Sequence, residues 1–136
     1  MSSVIHMHIE VKKGGRWHHY SAPSILRDPL FFDLVAGLSG KISPIVPLKN
    51  LPDDMSELTM ECYLLDAKDH MRLHHHGWLS SEELHTLQKQ LKILRLDAPI
   101  LETDLEESYF HCYIRGNAVS SHKGFDDSRL VFWFDN

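Results

Sequence analysis

The chain has little cysteine, no long apolar run and no surplus of positive charge, and each shortage closes off a class of protein. Cys62 and Cys112 are its two cysteines. They stand far apart, form no CxxC pair, and are too few to staple a small secreted fold. They read as buried free thiols of a reducing compartment. No apolar stretch approaches the length that crosses a bilayer. The opening "MSSVIHMHIEV" alternates polar and apolar residues, unlike a signal peptide. Both absences predict a cytoplasmic protein without membrane contact. Lys and Arg number 14 against 19 Asp and Glu, for a formal net charge of −5. The cations are scattered, so binding to a DNA or RNA duplex, which favours a basic face, is not expected. A basic pocket for one small nucleotide is left open.

Catalytic motifs are missing as well. There is no GxSxG elbow, and neither cysteine sits in the local signature of a cysteine hydrolase. No P-loop, GxGxxG or HExxH occurs. Repeated His-x-Thr or His-x-Ser pairs, which would suggest a phosphodiesterase, are also absent.

What is present fits one globular domain over residues 1–136, with 43% hydrophobic and 24% charged content and no internal repeat. In "VIHMHIEV", Ile5, Met7, Ile9 and Val11 alternate with His6, His8 and Glu10, the period of a half-buried strand. Gly14-Gly15 supplies a two-residue hairpin turn, and "RWHHY" returns as the second strand. "RDPLFFDLVAGLSG" predicts a short helix capped by Asp28, with Pro29 at its first position and Gly40 near its end. Its buried face would hold Leu30, Phe31, Leu34 and Leu38. Pro44, Pro47 and Pro52 then favour an extended connector that packs on the core through Ile and Val side chains.

A second helix is expected from Asp53 or Asp54 to about Ala67, with Met55, Leu58, Cys62 and Leu65 at helical spacing. The third helix carries the best boundary signal. Ser80 and Glu83 form a capping box, and Leu79 and Leu84 form the accompanying hydrophobic staple. Leu84, Leu87, Leu91 and Leu94 continue down one face. The acidic run Glu102, Asp104, Glu106 and Glu107 reads as a solvated loop or short helix. "YFHCYIR" alternates as a strand, and "RLVFWFDN" reads as a central strand, apolar on both faces, whose loss would damage the fold. The expected fold is α+β: an antiparallel sheet of about four strands, starting with the N-terminal hairpin, covered on one side by about three helices.

Eleven histidines raise the question of a metal. With Gly14-Gly15 as the loop, Lys13 pairs with Arg16, Glu10 with His19 and His8 with Ser21. His6, His8, Glu10, Trp17 and His19 then share a face, with paired Cβ atoms about 5 Å apart. His8, Glu10 and His19 could supply two nitrogens and a carboxylate to zinc or iron. The competing reading is a polar hairpin face that needs no ion. In "RLHHHGWL" an extended backbone would place Arg72, His74, His76 and Trp78 on one side and His75 on the other. That offers a second histidine pair, but no third ligand.

The blocks "RDPLFFDLVAGL", "LPDDMS", "HHHGWLSSEEL" and "RLVFWFDN" resemble, in order and spacing, a family of small phage and prophage proteins. The similarity spans nearly the whole chain. Pro29 stands where an aromatic residue is expected, and Leu38-Ser39-Gly40 replaces a Val-Arg-Asn-like ending. His74 matches the family histidine, while His75 and Gly77 stand at its serine positions. The resemblance implies a viral or mobile-element origin and a shared fold, and it brings no catalytic residues.

These features predict a non-enzymatic accessory protein that binds a host or defence protein, or sequesters a small nucleotide, and needs no cofactor. A protein partner would use Trp17 and Trp78, with His74 beside them, since aromatics dominate binding hot spots. A nucleotide would need cations, for which Arg16, Arg72 and Arg115 are the candidates. A small metal-dependent enzyme built on His8, Glu10 and His19 is the alternative, and a structural part of a phage particle is the third. Oligomeric state is not legible, though a symmetric homodimer is common for such domains.

Overall fold

The structure is a computed structural model, and it describes residues 3–25, 27–69, 72–96 and 124–136. Its elements are β1 (Val4–Lys13), β2 (Arg16–Ser21), α1 (Pro29–Ala36), α2 (Glu57–Asp69), β3 (Leu73–Ser80), α3 (Ser81–Leu96) and β4 (Asp127–Asp135). The strands form an antiparallel sheet in the order β2-β1-β4-β3. The α+β class and the opening hairpin agree with expectation. The expected strand "YFHCYIR", the acidic run, Cys112 and Arg115 lie outside the described residues.

Local chemistry explains most boundaries. Gly14 and Gly15 both take positive φ, so the strands reverse in two residues. Asp28 caps α1 by accepting from the Leu30 and Phe31 amides. That helix ends sooner than Gly40: Gly37 adopts the left-handed conformation and donates to the Asp33 carbonyl. The capping box of α3 forms in both directions, Ser80 N–H to Glu83 and Glu83 N–H to Ser80 Oγ.

One face of the sheet carries the apolar core. Met7, Ile9, Leu130, Phe132 and Phe134 meet Phe31, Phe32, Leu34 and Val35 of α1 and Leu84, Leu87 and Leu91 of α3. Ile42, Ile45 and Val46 of the proline-rich connector add partial cover. β4 is buried almost throughout, as expected of a central strand.

The histidine triplet, expected in an extended segment, is part of strand β3. Two expectations are corrected here. Helices cover both faces, with α1 and α3 on the apolar side and α2 on the other. And α2 does not start at Asp53 or Asp54, nor does it bury Leu58 and Leu65. Ser56 accepts from the Thr59 amide and begins the helix at Glu57, leaving Asp54 free to meet Arg129. Leu58 and Leu65 are 50% and 60% exposed. The sheet face beneath α2 is polar, so the helix turns Thr59, Tyr63 and Asp66 inward, and these recur at i, i+4 and i+7.

Candidate functional site

The face under α2 collects His6, His8, Glu10 and Lys12 of β1, Trp17 and His19 of β2, Arg129 and Trp133 of β4, and Trp78 of β3. Strand alternation places them there, since β1 pairs Glu10 with both His19 and Arg129, and His6 with Trp133. The hairpin register holds from Lys13–Arg16 to Glu10–His19. Beyond that a bulge pairs Ser21 with Ile9 instead of His8.

Arg129 is the hub. It donates through Nε to Glu10 Oε1 at 2.8 Å and through Nη1 to Asp54 Oδ1 at 2.9 Å, and its Nη2 reaches the Asp54 carbonyl. Glu10 is fully buried and Arg129 is 3% exposed. The second Glu10 oxygen accepts the Ser56 N–H at 2.8 Å. Both Glu10 oxygens are therefore engaged, as a buried carboxylate must be. The Arg129 bond holds the Asp54 carboxyl below the usual carboxylate range.

The guanidinium lies 3.9 Å from the Trp17 ring centre and 5.7 Å from that of Trp78. The two tryptophans named from sequence thus flank one buried cation, an arrangement favourable to the ring quadrupoles. Lys49 Nζ sits 3.5 Å over Trp78 and bonds Glu83.

The histidines form a second group. His6 bridges Asp66 of α2 and Asp135 of β4. His8 Nδ1 and His19 Nε2 stand 3.0 Å apart, so one ring N–H donates to the other nitrogen. His8 stacks on Trp133, whose Nε1–H donates to Asp66. Burial, reinforced by the neighbouring His19, lowers the His8 pKa to about 4, and burial lowers that of His19 as well. Both are neutral near pH 7.

Of the proposed metal set, His8 and His19 come together while Glu10 turns to Arg129. Among the described residues no group of three or more His, Cys, Asp or Glu side chains is placed to hold an ion. The triplet departs from simple alternation. A bulge between His74 and Gly77 puts His75 at φ 51°. His74 stacks on Phe134 and bonds Asn136, whereas His76 meets the Tyr63 hydroxyl of α2. His74 and His76 consequently lie on opposite faces.

Of the candidate cations, Arg16 and Arg72 do not converge. Arg16 is at the hairpin-turn end of the sheet, and Arg72 precedes β3 at the opposite end, where Leu73 pairs with Asp135. Cys62 is partly exposed instead of buried, and its thiol pKa is raised, first by burial. Sequence reasoning missed Arg129, whose signal was a lone cation opening an otherwise apolar strand. It also missed Asp66 and Asp135, which face the histidines from other elements.

Two clefts open beside this face. One, of about 300 Å³, is lined by His6, His8, Cys62 and Asp66 together with the β2 exit at Ala22–Ser24. The larger, of about 580 Å³, lies between Arg16–His19 of β2 and Asp54–Leu58 at the start of α2. No described helix is long and apolar enough to cross a membrane. No family model, curated protein or solved structure matches the chain.

Proposed function

We propose that this is a non-catalytic binding protein of phage or prophage type that engages a host-cell protein at the larger cleft. One observation carries the reading. Arg16 and Trp17, residue types that dominate interface hot spots, form one wall of a 580 Å³ cleft opposite Met55 and Leu58. The opposite wall also presents Asp54 and Glu57, which repel phosphate and so favour a polypeptide over a nucleotide. The polar groups nearby serve the fold: Glu10 holds Arg129 and Ser56, and His8 holds His19.

Native mass spectrometry of untagged protein from its own cells tests this. The expected result is a stoichiometric protein partner whose affinity falls about 30-fold or more in Trp17→Ala, a hot-spot-sized loss. Arg16→Glu alters an exposed side chain and should weaken binding without touching the core. A nucleotide-sized mass, a stoichiometric metal, or a partner held equally by both variants would overturn the proposal.

A further inference from the structure

A two-residue hairpin loop decides which main-chain groups each strand turns towards the other. Lys13 and Arg16 close the Gly14-Gly15 turn as a hydrogen-bonded pair, and bonded pairs recur at every second residue from there. Arg16 and His18 therefore direct their N–H and C=O groups at β1, while Trp17 and His19 direct theirs away from it. β2 is the first strand in the order β2-β1-β4-β3, and among the described residues no backbone group bonds to that outward row. The edge also lacks the usual protection: Arg16–Ser21 contains no proline and no lysine. The opposite edge of the described sheet differs, since β3 is bulged between His74 and Gly77.

The larger cleft opens along these same residues, with Gly15–His19 on one side and Asp54–Leu58 on the other. Side-chain contacts hold the strand in place, Trp17 against Arg129 and His19 against His8. A fixed row of alternating donors and acceptors states what fits it. A phosphate only accepts, and a helix has already bonded its own main chain internally. An extended backbone offers the same alternation and can pair with it residue by residue. We infer that the partner enters as an extended polypeptide segment, adding a strand to β2 and pairing its main chain with Trp17 and His19. Directly opposite residues of neighbouring strands point to the same face. Those facing Trp17 and His19 therefore turn towards Met55 and Leu58, so the segment carries apolar side chains two residues apart. This inference rests on the partner cleft proposed above and specifies how that cleft is filled.

Two probes test it: the complex isolated from the protein's own cells, and a display library of random heptapeptides selected on untagged protein. His19→Pro deletes an outward N–H, which an edge strand tolerates, so its circular dichroism spectrum should be kept. His19→Ala keeps that N–H and loses only the side chain. Binding of either probe should fall about tenfold or more in His19→Pro, and by less than about threefold in His19→Ala. Hydrogen exchange on the wild type gives a readout that does not depend on either variant folding. The Trp17 and His19 amides should slow when a probe binds, while the His18 amide, already bonded to β1, is slow throughout. A host protein that binds without slowing Trp17 and His19 overturns the inference and leaves the partner cleft standing. Heptapeptides that slow both amides while no host protein is found do the reverse. Equal losses in His19→Ala and His19→Pro, or no binder of either kind, overturn the strand pairing. Slowing that appears in the protein alone as its concentration rises assigns the edge to a second copy and also overturns it.

Discussion

At the scale of single residues, Arg129 and Glu10 hold the polar face together. Both are buried, and Arg129 is the cation that Glu10 meets. Glu10→Ala leaves Arg129 its Asp54 partner and should cost less than the converse change. Arg129→Ala strands a buried carboxylate and should cost about 3–5 kcal/mol, read from the urea midpoint. The pair Glu10→Leu with Arg129→Met should recover most of that loss, because it removes both charges together. His8 makes a second prediction. Its pKa is about 4 in the folded protein, below its ordinary value of 6.5. The unfolded chain takes up the proton first, so the stabilisation is present above pH 6.5 and is lost as pH falls from there toward 4. Urea midpoints measured across that window should drop, and His8→Gln should flatten the drop. Glu10 also shows where sequence reading stops. Its face and its pairing with His19 follow from alternation and a two-glycine turn. Its partner Arg129, 119 residues away, depends on which strand lies on the other side of β1.

At the scale of elements, α3 was legible and α2 was only half so. The α3 cap and leucine stripe are local signals, and both the capping bonds and the burial of Leu84, Leu87 and Leu91 follow them. In α2 the same spacing argument selected Leu58, Cys62 and Leu65; Leu58 and Leu65 lie toward the outside, while Cys62 is half-buried beside His6 and Asp66. Apolar periodicity identifies a helix but names its buried face only when the surface beneath is apolar. Under α2 that surface consists of histidines, an ion pair and tryptophan edges. The contrast is measurable by denaturation. Leu87→Ala should cost about 2–5 kcal/mol as a core truncation. Leu64→Ala should change stability by less than about 0.5 kcal/mol, as surface changes usually do. Ser80→Ala falls between them, at about 1 kcal/mol, through loss of the cap.

At the scale of the whole molecule, the sheet separates two kinds of cohesion. Its α1–α3 side is a conventional apolar core, while its α2 side is a network of charge-assisted and aromatic contacts drawn from five elements. β4 is common to both. It pairs with β1 along one side and β3 along the other, and those two strands reach each other through it. Its contacts with β1 include that of His6 with Asp135, 129 positions along the chain. The hairpin forms from neighbours, and so does the β3–α3 unit. Neither has a sheet to join until β4 enters the gap between them. The last described strand thus acts in time as well as in space. Assembly waits on the slowest kind of loop closure, and folding should resemble that of high-contact-order β proteins more than that of a helical domain of this size.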